Sequence, residues 1–301
     1  MSHWPHPLQA GDAVQLAAAS SALAPEALAR LEAGMAVLSS WGLQVQPHPE
    51  PLRHWGYLAG RDAQRQGDLT AQAPLVACLR GGWGAARLLE LEGAMATGDA
   101  PHWLLGFSDV TSLLWARQAA GHRGGIHGPM VTTLAAEPAW SQDRLRDLLF
   151  GQPLAPLSGD SWSPGVAEGP LLVGNLTVAT HLLGTPHLPD LRGGVLVLED
   201  IGEAPYRLDR MLTHWRLSGA LQQLAGLAFG RFSDCDAQAD ADGDPADAVT
   251  VEQVLRERSA DLGIPVLGGL AVGHGPGNGA LPLGRRARLD ATGGQLELLE
   301  P

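Results

Sequence analysis

HWLLGFSDVTSLLWA, residues 102–116, passes from one apolar run through Gly-Phe-Ser-Asp into a second apolar run of different period. The first run is short and continuously apolar, as in a strand buried on both faces, and the second reads as a helix opening near Asp109. A strand that becomes a helix within three residues is half of a βαβ unit and points to a parallel sheet. Ser108 stands on that turn. It is either the helix cap that Ser and Asp commonly supply before an apolar run, or a nucleophile held at a helix N-terminus, where the dipole favours negative charge. Local sequence leaves both open. The third residue after Ser108 is Thr111, so the capping box is incomplete, and Gly-Phe-Ser-Asp-Val is not the GxSxG elbow.

The same alternation runs outward from this stretch. AVQLAAA (13–19) reads as a strand, Pro25 to about Trp41 as an amphipathic helix, and LQVQPH (43–48) as a second strand. PLVACL (74–79) is a strand followed by the glycine-rich turn RGGWG and a helix AARLLELEG. Between 151 and 169 the pattern lapses into a Gly-, Pro- and Ser-rich stretch. The predicted organisation is an N-terminal α/β domain over 1–156 carrying Ser108, a linker over 157–169, and a C-terminal domain over 170–301. The last of these opens with GGVLVLED, a buried strand ending in acids, and continues into a helix behind Pro205 whose apolar face is Leu208, Met211, Leu212 and Trp215. It closes in glycine-rich short strands.

Composition restricts the class. The 301 residues are 45% hydrophobic and 17% charged, a globular balance, and no apolar run reaches the roughly 18 residues of a membrane span. The N-terminus has no basic or apolar leader pattern, so a cytoplasmic protein is expected. A formal charge of −12 disfavours nucleic acid and anionic membrane surfaces as partners and leaves a small peptide or other small molecule. Two cysteines without CxxC spacing and the lack of HExxH argue against a metal site. In the acidic segment 233–247, Asp240, Asp242 and Gly243 imitate part of a calcium loop. Gln238 and Val249 fall where its first carboxylate and its final Glu belong, so a solvated loop is expected.

A serine nucleophile requires a base, a carboxylate to orient the base, and N–H donors for the oxyanion. The glycines of Arg80-Gly81-Gly82-Trp83-Gly84 can bring backbone N–H groups close to a ligand, although a plain tight turn has the same composition. Among the histidines, His274 in AVGHGPGNG and His127 in GIHGPM both end apolar runs. Glu199, Asp200 and Glu203 lie at or just beyond the end of one strand. Asp200 and Glu203 are equally well placed to favour the N-terminus of the helix behind Pro205, whereas Glu199 is not.

Taken together, GDAVQLAAASSAL, GYLAGRDAQRQGDL, RGGWGAARLL, GFSDVTSLL, IHGPM, GNLTVATHLLGTP, LVLEDIGEAPYRLDRML and GHGPGNGALPLG resemble, in order, the LD-carboxypeptidase family of serine peptidases. That family includes murein tetrapeptide carboxypeptidases and microcin C immunity hydrolases. The resemblance implies an α/β fold whose N-terminal parallel-sheet domain is similar to class I glutamine amidotransferases, plus a smaller β-rich α/β C-terminal domain. It implies Ser108 as nucleophile, His274 as base, Glu199 as the orienting carboxylate, and the N–H groups of Gly82 and Asp109 as the oxyanion hole. It further implies a homodimer that needs no cofactor and removes terminal D-Ala from murein tetrapeptides in cell-wall recycling. An immunity-type hydrolase of aminoacyl adenylate analogues, with Trp162 stacking on a base, is the alternative within the same chemistry. A non-catalytic peptide-binding homologue is the alternative outside it. The chain departs from the family pattern in a short stretch between Asp68 and Arg80, in Trp83 where Tyr is usual, and in Val173 where Gly is usual.

Overall fold

A computed structural model describes residues 4–70, 72–91, 101–236 and 249–299, so Asp240, Asp242 and Gly243 of the calcium question lie outside the described residues. The strands are β1 (Ala13–Ala17), β2 (Gln44–Gln46), β3 (Leu75–Cys78), β4 (Trp103–Gly106), β5 (Gly125–His127), β6 (Leu157–Ser158), β7 (Asp160–Ser163), β8 (Val166–Asn175), β9 (Val195–Ile201), β10 (Gly226–Ser233), β11 (Val266–Gly268), β12 (Leu281–Pro282), β13 (Arg286–Asp290) and β14 (Gln295–Leu298). The helices are α1 (Leu28–Ser40), α2 (Asp62–Leu69), α3 (Thr111–Ala119), α4 (Val131–Leu134), α5 (Ala139–Leu149), α6 (Leu176–Leu182), α7 (Pro205–Leu217) and α8 (Val251–Ser259). The chain divides into two compact units, each built on one sheet.

The first unit comprises Met1–Leu154, Gly184–Pro189 and Pro276–Leu283. Its sheet runs β12-β5-β4-β3-β1-β2, parallel except for β12. All residues of β3 and β4 are buried, as continuous apolar runs in a parallel sheet covered on both faces should be. Strand order reverses between β1 and β3, and in open α/β sheets such a switch point opens a crevice at the carboxyl ends of the strands. The loops after β1, β3 and β4 therefore gather the residues of interest at one edge. Helix α3 is buried from Thr111 to Arg117, which explains why the second half of the opening stretch is apolar nearly all round. The segment after RGGWG is a 3-10 turn, Ala85–Glu90, as far as it is described, in place of the expected α-helix.

The second unit comprises Ala155–Leu183, Asp190–Gly275 and Gly284–Pro301. Its sheet runs β6-β14-β13-β8-β9-β10-β11-β7, with a parallel centre, β8 to β11, flanked by antiparallel strands. On α7, Leu208, Leu212 and Trp215 are buried as expected, while Met211 is only half-buried.

Two domain expectations are corrected. Residues 157–169 are not a linker: they form β6, β7 and the start of β8, at the two edges and in the body of the second sheet. Their Gly, Pro and Ser content belongs to edge strands and the turn at Pro164-Gly165, where such residues are tolerated. Nor is 170–301 one continuous domain, because residues 276–283 pair with the first sheet, Leu281 opposite His127 and Pro282 opposite Ile126. Side chains hold that return. Glu137 Oε2 accepts the N–H groups of Gly277 and Asn278 at 2.7 and 2.9 Å, and Arg144 Nε donates to the Ala280 carbonyl at 3.0 Å.

Candidate active site

Strand β4 ends in extended backbone at Phe107, and Ser108 then turns into the left-handed region with φ 60°. An L-residue other than Gly, Asn or Asp pays roughly 1–2 kcal/mol there. Among the described residues only Asp234 shares this conformation without being glycine. A 3-10 turn, Ser108–Val110, leads into α3, and neither start carries a side-chain cap. The capping role is thus not what Ser108 or Asp109 performs. Asp109 is fully buried, and its Oδ2 accepts the Ala85 N–H at 2.8 Å, reaching across to the turn after β3. Burial pushes the Asp109 carboxyl above its ordinary range, against the hydrogen bonds and the Arg65 charge that lower it.

The turn after β3 lies against the serine. A Cβ on Gly81 would stand 3.1 Å from Ser108 Cβ and 3.2 Å from its Oγ, a tight contact that would require the serine to give way slightly. Gly82 is exposed, and a side chain there would collide with the Ser21 hydroxyl. Ser21 Oγ in turn accepts the Trp83 N–H at 2.9 Å, tying the turn to the loop after β1.

In the second unit Glu199 lies near the end of β9, beside Asn175 of β8, and is fully buried. Its Oε2 accepts two hydrogen bonds from one residue, from His274 Nδ1 at 2.7 Å and from the His274 N–H at 3.1 Å. With Nδ1–H donating to the carboxylate, neutral His274 carries its lone pair on Nε2, as a general base requires. Burial pulls the imidazole pKa down, but the Glu199 hydrogen bond and charge, with the Asp200 charge, outweigh it, and the pKa lies above its ordinary value. The approach depends on Gly273, at φ 102°, where a Cβ would stand 2.6 Å from Glu199 Cβ. Ser233 Oγ holds the far side of the loop by donating to the His274 carbonyl at 2.6 Å.

The other residues weighed from the sequence have different surroundings. His127 is fully buried at the end of β5, its ring edge-on to Phe107 at 5.7 Å. Asp200 accepts Asn175 Nδ2, the Thr177 N–H and hydroxyl, and the Ile201 N–H at 2.8–2.9 Å. It therefore joins β8, β9 and the start of α6 instead of serving α7. Glu203 lies 3.4 Å from Arg207, which, like Arg210, sits over Tyr206 and lines a groove of about 510 Å³ between α6 and α7. Trp162 packs on Phe229, centroids 5.5 Å apart, with Arg256 4.4 Å from its ring, so contacts within this unit engage the aromatic surface proposed for a base. Among the described residues no group of three or more His, Cys, Asp or Glu is arranged to hold a metal, and no helix is long and apolar enough to cross a membrane.

Residues 14–128 match the model of the LD-carboxypeptidase N-terminal domain, and residues 168–289 that of the C-terminal domain. The chain belongs to the LD-carboxypeptidase family. It is 48% identical over 300 residues to a Synechocystis protein that bears a provisional carboxypeptidase name, covering 98% of this chain and 97% of that one. It is 34% identical to the murein tetrapeptide carboxypeptidase of Pseudomonas aeruginosa, over 93% of each chain. Among solved structures, the muramoyltetrapeptide carboxypeptidase of Oxalobacter formigenes superposes with TM-score 0.81 at 28% identity, covering 95% of this chain and 97% of that one. The wild-type microcin C7 self-immunity protein MccF superposes with TM-score 0.84 over 99% of each chain at 19% identity, a likeness of fold. Family and relatives together support carboxypeptidase function.

Of the residues expected from sequence, Ser108, Gly82 and Asp109 belong to the first unit and Glu199 and His274 to the second. The supports around the first group were not anticipated. Arg65, Asp62 and Ser21 lie in polar or small-residue stretches whose composition suggests solvent. The only local signal was the i,i+3 spacing of Asp62 and Arg65 in GRDAQRQGDL.

Proposed function

We propose that the chain is a serine LD-carboxypeptidase that cleaves between an L-configured diamino acid and the terminal D-Ala of murein tetrapeptides, in cytoplasmic cell-wall recycling. The observation that carries this reading is the left-handed Ser108 at the end of β4, a strained conformation that no cap explains. Strain of this kind concentrates at reactive sites. The Glu199–His274 pair supplies the base, with its tautomer already set.

His274 Nε2 takes the Ser108 proton as Oγ attacks the scissile carbonyl. The Gly82 and Asp109 N–H groups receive the oxyanion, and Glu199 offsets the imidazolium charge. Collapse breaks the C–N bond, His274 returns its proton to the leaving D-Ala amine, and water then attacks the acyl-enzyme with His274 again as base. The enzyme acts as a homodimer without a cofactor. Sedimentation of the purified chain tests the dimer.

The experiment is hydrolysis of L-lysyl- and diaminopimelyl-D-Ala tetrapeptides by wild type, Ser108→Ala, Glu199→Gln and His274→Ala, with folding checked by circular dichroism. Release of D-Ala by wild type and its loss in folded variants is expected. Release by Ser108→Ala at the wild-type rate overturns the reading. Turnover of an aminoacyl sulfamoyl adenosine without D-Ala release places the chain with the immunity-type hydrolases instead.

A further inference from the structure

Arg65 is out of keeping with its helix. The sequence of α2, DAQRQGDL, is polar, yet the Arg65 side chain has no solvent exposure. A guanidinium removed from water is stabilised only when its donors find acceptors. Arg65 Nη2 donates to Asp62 Oδ1 at 2.6 Å, while Nη1 donates to the carbonyls of Ala19, just past β1, and of Gly84 at 2.8 Å. Asp62 uses its other oxygen for Arg87 Nη2 at 2.8 Å, and Arg87 lies in the 3-10 turn that begins one residue after Gly84. The Asp62–Arg65 pair thus grips the turn after β3 at two points.

The carbonyl of Gly84 and the N–H of Ala85 belong to one peptide plane. Arg65 holds that plane by its oxygen, and Asp109, the neighbour of Ser108, holds it by its nitrogen at 2.8 Å. Rotation of this plane would change the path of the turn through Trp83 to Gly82. The geometry points to Arg65 as a positioning residue for the proposed reaction: it fixes the Gly84–Ala85 peptide and, through it, the direction of the Gly82 N–H relative to Ser108. This inference rests on the reading of Ser108 as nucleophile and Gly82 as oxyanion donor. Arginine is suited to the task because its planar fork reaches a carboxylate and two carbonyls together, whereas the single ammonium of a lysine does not.

A structural prop would affect only how much protein is folded, whereas a positioning residue alters the affinity for the tetrahedral anion. The test measures kcat and KM on an L-lysyl-D-Ala tetrapeptide, and the Ki of a peptide boronate that forms a tetrahedral adduct on serine. Wild type, Arg65→Lys, Asp62→Asn and Ser108→Ala are compared as full-length protein, with folding followed by circular dichroism. Folded Arg65→Lys is expected to lose about 10- to 100-fold in kcat with KM within about threefold, and to weaken boronate binding by the same factor. Asp62→Asn, which loosens the same grip but keeps the guanidinium, is expected to lose about 3- to 10-fold in both. Folded Arg65→Lys with kcat and boronate Ki within about twofold of wild type overturns the inference, as does a fall in kcat with unchanged boronate affinity. If Arg65→Lys does not fold, Asp62→Asn decides by the same two readouts. An inactive wild type, or an active Ser108→Ala, shows instead that the underlying reading has failed.

Discussion

Replacing Glu199 by Gln removes the charge that faces His274 while keeping the side-chain shape. Oε2 lies 2.7 Å from Nδ1. With charge centres about 4 Å apart and an effective dielectric of about 20, its attraction for an imidazolium is about 4 kcal/mol. The Gln amide retains a hydrogen bond worth about 1 kcal/mol, so about 3 kcal/mol of transition-state stabilisation is lost. At about 1.4 kcal/mol per tenfold, kcat falls roughly 10²-fold. The pH profile moves as well. In wild type the Glu199 hydrogen bond and charge raise the His274 pKa against the effect of burial. In the variant burial remains, so the acid limb of kcat/KM shifts to lower pH while the plateau drops. The stability consequence has the matching sign. A raised histidine pKa stabilises the fold fully below the unfolded-state pKa, and this contribution is lost as pH rises through the folded-state pKa. Urea unfolding should therefore separate wild type from Glu199→Gln more at about pH 6 than at about pH 9. A variant that keeps at least a third of wild-type kcat with an unmoved acid limb would refute the assignment of Glu199.

Ser108→Gly and Ser108→Ala should both be inactive. Glycine should be the more stable by about 1 kcal/mol in urea unfolding, because it relieves the left-handed backbone at that position. Gly273→Ala places a methyl within 2.6 Å of Glu199 Cβ on a backbone at φ 102°, and should cost about 2 kcal/mol or more and abolish turnover. Asp200→Ala removes an acceptor shared by the Asn175 amide, both Thr177 donors and the Ile201 N–H, and should lower stability by about 3 kcal/mol or more. Trp162→Ala should reduce stability by about 2–3 kcal/mol with KM for the tetrapeptide unchanged, since its ring packs on Phe229 and beneath Arg256.

The parts of the fold legible in the sequence were those governed by local pattern. Strands β3 and β4 and the helix behind Pro205 announced themselves by apolar period and punctuation, because a parallel strand buried on both faces has no polar positions to blur it. The edge strands β6 and β7 did not, since an edge tolerates the Gly, Pro and Ser that otherwise mark a linker. Residues 276–283 also escaped, because membership of the first sheet is decided by backbone pairing with β5 and by Glu137 and Arg144, far away in sequence.

At the candidate site, composition alone left Ser108 poised between cap and nucleophile and left His127 level with His274. Backbone conformation at Ser108 and the two hydrogen bonds from His274 to Glu199 are what support the proposed roles, and neither property is written in residue type. Asp109 shows the same limit, for its carboxylate looks like a helix cap in sequence and instead binds the Ala85 N–H, 24 positions upstream.

The central claim is that Ser108 is the nucleophile and His274 its base. Fluorophosphonate labelling followed by peptide mass mapping tests it most directly. One adduct per chain on Ser108 is predicted, absent in Ser108→Ala and slowed at least about 10²-fold in folded His274→Ala. An adduct on another residue, or labelling of His274→Ala at the wild-type rate, would contradict it.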